Sequence, residues 1–295
     1  MSGMRIDLHV HSSASDGTDS PAGLMRLAGQ VGLDVVALTD HDSTAGWAEA
    51  AAAVPAGTTL VPGIEISARW WEGPDSPIGL HLLAYLPDPD EPELAEALAG
   101  VRRNRSTRAQ RMVDLLRAGG IDVTWDEVLS DAAGAPVGRP HLAQALIRRG
   151  LVDTVSEAFA PQWLGQQFRL PKDDLEVFEA LRLIRGAGGV PVFAHPLAHR
   201  RGRVVPDAVI GQMAAAGLAG LEADHPDHGP AERDHARRLA ADLGLFVTGS
   251  SDYHGSNKPT GIAVELTSPA SYQQILAQAT GTTPVASPVT PDRTG

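Results

Sequence analysis

The 295-residue sequence has no cysteine, which removes disulfide bridges and thiolate metal sites from consideration. Any metal it holds must be bound through nitrogen and oxygen. It also lacks any apolar run approaching the roughly 20 residues that a helix needs to cross a bilayer, which excludes a helical span. Its opening residues, Met1 to Asp7, show neither an apolar core nor a cleavage site, so no secretory signal is expected and the expected location is cytoplasmic. Basic residues are in deficit: 24 Lys and Arg against 36 Asp and Glu leave a net charge of -12. That balance argues against a broad surface for duplex nucleic acid, while a local Arg cluster remains able to grip one terminal phosphate.

A hydrophobic content of 43% with 20% charged residues is that of an ordinary globular protein, and the length suits one barrel-sized domain with an insertion. Strand-like apolar runs fall near 6–11, 34–41, 59–67, 78–86, 190–196, 220–225 and 246–254. Helical periodicity follows most of them, at 21–32, 43–53, 93–117, 173–188, 206–216, 230–243 and 270–279. Seven strands alternating with helices predict a TIM-like α/β barrel over residues 4–99 and 171–280. Residues 100–170 interrupt the alternation with a mainly helical stretch, read as an insertion capping the barrel. Residues 281–295, rich in Thr, Pro, Ser and Gly, predict a disordered tail.

Residues of metal-ligand type recur at the ends of these strands. His9 and His11 lie two apart on the first strand, so they project from one face of an extended chain and can share a metal. Asp16 follows in a Ser-rich turn, and His41 sits between two aspartates where the second strand ends. Glu65 stands among apolar neighbours, where an unpaired carboxylate carries a heavy desolvation cost that a metal would remove. His81 opens another apolar run, His195 closes the next, and Asp252 with His254 repeat the spacing of two near the end of the last strand. One buried histidine is usually a satisfied core residue. Nine residues of ligand type at successive strand ends are better explained by one shared metal centre, because parallel barrel strands aim those ends at a common mouth.

Read in order, D-L-H-V-H-S, S-D-G, L-T-D-H-D, G-I-E-I-S, a lone His, A-H-P and S-D-Y-H resemble the signature of the polymerase and histidinol phosphatase (PHP) family across residues 5–254. The resemblance implies a distorted (β/α)7 barrel with a mainly helical insertion. It also implies that His9, His11, Asp16, His41, Glu65, His81, His195, Asp252 and His254 bind two or three divalent ions. Manganese, iron and zinc all suit such N/O ligation. The segment Val137 to His141 and the later Leu221 to His228 look like the branch that includes nucleoside 3',5'-bisphosphate phosphatases and 5'-to-3' exoribonucleases acting on short RNA.

The implied chemistry is phosphoester hydrolysis by a metal-bridging hydroxide. His225 and His228 are candidates for the general acid or for phosphate contacts. Arg139, whose planar fork can take two phosphate oxygens, is the expected clamp, with His141 beside it. Arg102, Arg105 and Arg108 share a helical face, and the resemblance points to Arg105 and Arg108 as substrate contacts. The expected partner is a nucleotide or short oligoribonucleotide, and oligomeric state is not legible. A small-metabolite phosphatase such as histidinol phosphatase, or a non-catalytic metal-binding regulatory module, are the alternative readings.

Overall fold

The computed structural model describes residues 3–73, 76–132, 135 and 137–287. Its frame is a nearly closed sheet with strand order β1 (Ile6–Val10), β2 (Val35–Leu38), β3 (Thr59–Trp71), β4 (Pro77–Tyr85), β6 (Val190–Phe193), β7 (Gly220–Asp224), β8 (Phe246–Gly249). Two short strands, β5 (Leu175–Glu176) and β9 (Val285–Ala286), pair with β3 outside this path. Closure is made by one parallel bridge between Val10 and Tyr253, with the His11 N–H donating to the Tyr253 carbonyl at 2.8 Å.

Alternation along the strands divides the apolar residues between two layers. Val35 and Ala37 join Ile6, Leu8, Val61, Leu83, Tyr85, Val190 and Val192, residues drawn from opposite sides of the sheet, in the barrel interior. Tyr272 and Ile275 of helix α10 (Pro269–Gln278) pack against that interior. Val36 and Leu38 face the other way, onto Leu24, Met25 and Ala28 of α1 (Pro21–Gln30). The barrel is completed by α2 (Trp47–Ala52), α7 (Val177–Gly186), α8 (Asp207–Ala215) and α9 (Pro230–Leu243).

The strands are not all parallel, which corrects the expectation of ligands at seven parallel strand ends. β4 runs antiparallel to both β3 and β6, and His81 pairs with Ser67 in mid-strand. Only five residues separate Trp71 from Pro77, too few for a helical crossover, so the two strands pair as a hairpin.

The cap is built from α3 (Pro92–Ala118), α4 (Trp125–Ala132), α5 (Arg139–Arg148) and α6 (Val155–Ala158). Its own core contains Met112, Val113, Val128, Leu142, Leu146 and Leu164. α3 crosses the expected boundary at residue 100 without a break. Pro92 at its first position and the Glu91 carboxylate, which accepts the N–H groups of Glu93 and Leu94, start it on the barrel. Leu94 and Leu98 pack in the barrel core, whereas Ala109, Met112 and Leu116 pack in the cap core. At 27 residues, about 40 Å at the usual helical rise, it is a strut shared by both parts. The tail predicted to be disordered from 281 instead contributes β9, whose Val285 and Ala286 pair with Leu60 and Thr59; residues 288–295 lie outside the described residues.

Candidate metal centre

Glu65 of β3 is the hub of the barrel mouth. Only 1% of its surface is exposed, and its carboxylate is met by five imidazoles from four strands or the turns after them. Oε1 lies 2.8 Å from His81 Nδ1 and 3.0 Å from His195 Nε2. Oε2 lies 3.1 Å from His11 Nε2, 3.2 Å from His41 Nδ1 and 3.3 Å from His9 Nε2. Asp252 Oδ1 stands 3.4 Å from both His9 and His11, and Asp16 Oδ1 stands 3.4 Å from His254 Nε2. The ligand atoms fall into three overlapping sets, each within 4.8 Å: His11, Asp16, His41 and His254; His9, His11, Glu65 and Asp252; His41, Glu65 and His81. All nine predicted ligands therefore meet, with His195 joining through Glu65.

Hydrogen bonding alone does not account for this arrangement. The Nδ1 atoms of His41 and His81 lie close to Glu65 yet are not aligned to bond with it, and they have no other partner among the described residues. His9 and His11 bring two ring nitrogens within 3.0 Å. One carboxylate cannot accept well-formed hydrogen bonds from five rings, whereas divalent cations can satisfy these lone pairs together. The donor set is imidazole and carboxylate throughout, which fits manganese, iron or zinc.

Further residues fix how the ligands point. Glu222 on β7, fully buried, takes His9 Nδ1 at 3.0 Å, and the Asp252 carbonyl takes His254 Nδ1 at 2.8 Å. Both acceptors lack a proton to give, so each ring carries a proton on Nδ1 and turns Nε2 inward. The other oxygen of Glu222 accepts the His195 N–H at 2.7 Å. His195 and Asp252 have φ of +34° and +50°, unusual for residues with a Cβ, so two ligands are held in strained backbone by the surrounding contacts. Asp40 accepts the Ser12 N–H, the Ser12 hydroxyl and the Ser15 hydroxyl, which ties down the loop carrying Asp16. The glycine after Asp16 is required there, because a Cβ on Gly17 would sit 2.4 Å from the His11 carbonyl oxygen.

The electrostatics divide the histidines. Burial disfavours charge on His9 and His11, but the carboxylates of Glu222, Glu65 and Asp252 around them outweigh it, raising His9 well above its ordinary value and His11 to about 9. Burial, reinforced by His11 and Lys258, takes His254 down to about 3, and burial likewise holds His41 and His195 well below the usual range. Burial would raise Glu65, yet His81, His41 and His9 hold it well below the usual carboxylate range. The mouth thus presents ionised carboxylates and several neutral imidazoles, the protonation states that bind metal.

The predicted substrate residues take varied places. Arg105 bonds the Asp42 carboxylate at 2.5 Å, and Asp42 in turn accepts the N–H and hydroxyl of Ser67, so this arginine fastens α3 to the mouth. Arg139 opens α5 with its guanidinium 5.2 Å from the Phe159 ring centre. Burial and the charges of Arg169, Arg108 and Arg105 bring it down to about 10. His141 accepts the Gly138 N–H on Nδ1 and lines a cleft of about 310 Å³ that also contains Asp16, Gln144 and Asn257. His225 accepts the Asp227 N–H on Nδ1 and turns Nε2 toward Asp252 at 3.3 Å. His228 differs: Nδ1 donates to the Ala223 carbonyl and Nε2 accepts the Leu197 N–H, so both nitrogens are engaged by backbone and none is left for proton transfer.

Sequence reasoning missed Glu222, Arg201 and Lys258. Glu222 carried the same signal as Glu65, a carboxylate inside an apolar strand. The two cations lie in loops that give no such cue, yet both bond Asp252.

The model of the PHP domain matches residues 7–100. A 3',5'-nucleoside bisphosphate phosphatase of Chromobacterium violaceum is 34% identical over 84% of this chain and 87% of its own length. The chain belongs to the PHP domain family. Another relative, a 5'-3' exoribonuclease of Haemophilus influenzae, is 33% identical over 85% of this chain and 90% of its own length. The crystal structure of a candidate metal-dependent phosphoesterase from Bifidobacterium adolescentis superposes with a TM-score of 0.87 at 35% identity, covering 95% of this chain and 98% of that one. The PHP barrel and its helical insertion are therefore shared over nearly the whole chain.

Proposed function

We propose that this PHP protein is a metal-dependent phosphoesterase that removes the 3'-phosphate of nucleoside 3',5'-bisphosphates, with stepwise 5'-to-3' hydrolysis of short RNA as the related activity. The observation that carries the substrate class is a second charged centre beside the metal ligands. Arg105, Arg108, Arg139, Arg169 and Lys172 crowd one another at the junction of cap and barrel. Burial and neighbouring arginines push Arg139 and Lys172 below their ordinary values, with Asp174 as a nearby counter-charge. Five cations facing Asp42, Asp16 and Asp174 leave positive charge that a second phosphate group can neutralise. A substrate bearing two phosphates would place one at the metal centre and one under the cap. The nucleotide activities named for the Chromobacterium and Haemophilus relatives support the same class.

Divalent ions held by the nine ligands would supply water activation at neutral pH and charge neutralisation at phosphorus. The protein's own residues do the rest. Glu222 and the Asp252 carbonyl hold two ligand rings in register. Arg139 and Arg108 orient the distal phosphate. His225 carries its proton on Nε2, facing Asp252, because Nδ1 accepts a backbone N–H. It is the histidine oriented to donate a hydrogen bond from Nε2 to the departing oxygen, whose proton would come from solvent.

Phosphate release should be measured with adenosine 3',5'-bisphosphate and with histidinol phosphate, each with added manganese. Turnover of the bisphosphate well above that of histidinol phosphate is expected. Equal inactivity on the nucleotide would sink this assignment.

A further inference from the structure

Asp252 uses its two carboxylate oxygens differently. Oδ1 faces the rings of His9 and His11, each at 3.4 Å. Oδ2 faces away from those rings and receives Arg201 Nη2 at 2.5 Å, Lys258 Nζ at 2.6 Å and His225 Nε2 at 3.3 Å. Arg201 comes from the short turn His199–Arg201 after β6, and Lys258 follows the turn Gly255–Asn257 after β8. Their side chains are about one-third exposed, at 34% and 31%, while Asp252 is 3% exposed. Two full cations from separate loops therefore meet on one oxygen at the solvent edge of the metal centre.

Arg201 also bonds Asp227 through Nε at 2.5 Å, so two cations stand against the two carboxylates of Asp227 and Asp252 and the group is neutral. Asp252 belongs, however, to the ligand set of His9, His11 and Glu65. A divalent cation shared with Oδ1 draws on the same negative charge, which leaves Arg201 and Lys258 in surplus. Like charges held this close need an anion, and the one that a phosphoesterase brings to this edge is a phosphoryl group.

We infer that Arg201 and Lys258 form a phosphate-binding pair for the phosphoryl group being cleaved, distinct from the cations under the cap, with Asp252 as the carboxylate that holds them until substrate arrives. The inference rests on the phosphoesterase reading above. It separates two roles that a simple ion pair would merge. A pair that only positions Asp252 helps metal binding, whereas a pair that shares Asp252 with the metal competes with it.

The test uses Lys258→Met and Arg201→Met in the full-length protein. Manganese affinity of chelator-stripped protein and inorganic phosphate affinity of the manganese-loaded protein are measured by calorimetry. Phosphate affinity should fall about tenfold or more in each variant, the loss expected for one charge-assisted hydrogen bond. Manganese affinity should stay equal or tighten, and Lys258→Arg should restore phosphate binding. Unchanged phosphate affinity, or manganese affinity that falls in parallel, overturns the pair. Failure of the nucleotide assignment is distinguishable: wild-type protein would then leave adenosine 3',5'-bisphosphate intact while still binding phosphate through these two residues.

Discussion

The barrel mouth and the underside of the cap face each other with opposite chemistry. The mouth collects carboxylates and imidazoles around Glu65, and the cap collects guanidinium groups around Arg139. Each is unfavourable alone: ligand nitrogens in the mouth lack aligned partners, and under the cap burial and neighbouring cations hold Arg139 below its ordinary value. Under the function proposed above, metal would complement the mouth and a substrate anion the cap. That reading gives bond cleavage and substrate choice to different parts of the chain, and each part of it can be broken separately.

The largest effect should come from the hub. Glu65→Gln keeps the shape but removes the charge that five imidazoles face. Loss of turnover should exceed the roughly 10–100-fold that a supporting residue costs, with manganese content falling as well. Metal analysis of the purified variant beside its rate decides it. Full metal content with full activity would show that the mouth does not depend on Glu65.

The two regions also differ in how far they could be read from sequence. The mouth was legible because each ligand sits in a short local pattern and the strand period fixes which neighbours share a face; His9 and His11 are the clearest case. The direction of β4 was missed: the bounds 59–67 and 78–86 leave ten residues between the strands, and only the longer observed strands close that gap to a hairpin. The seam at residue 100 was not legible, because α3 is helical on both sides of it and only burial distinguishes Leu98 from Ala109. Nor were the loop cations: Arg201 and Asp252 are 51 residues apart, and no periodicity links them. The tail misled by composition, since Val285 and Ala286 find the free edge of β3 despite their polar surroundings.

A smaller effect should follow from Glu222→Gln. This carboxylate clasps two ligands from different strands, taking His9 Nδ1 and the backbone N–H of His195. An amide of the same size keeps one acceptor oxygen and loses the charge, so His9 is held less firmly and becomes less basic. Manganese affinity should fall about 10–100-fold, while binding of adenosine 5'-monophosphate at saturating metal should change little. Titration of metal into chelator-stripped protein measures the first and ligand titration the second. An equal loss in both would mean that Glu222 supports the whole mouth and not the ligands alone.

The smallest effect, and the most discriminating, belongs to the cap. Arg139 stands among Arg105, Arg108 and Arg169, and burial and those charges lower it to about 10. Arg139→Ala removes a contact with the Phe159 ring but also relieves repulsion. The melting temperature should therefore hold steady or rise, where loss of a net-favourable ion pair would lower it. Binding should move the other way. A bidentate guanidinium–phosphate contact contributes on the order of 1.5–3 kcal/mol, so KM for adenosine 3',5'-bisphosphate should rise about tenfold or more. KM for adenosine 3'-monophosphate, which has no second phosphate to lose, should stay near its wild-type value. Parallel loss on both substrates would place Arg139 in the common machinery of the mouth and dissolve the division between the two regions.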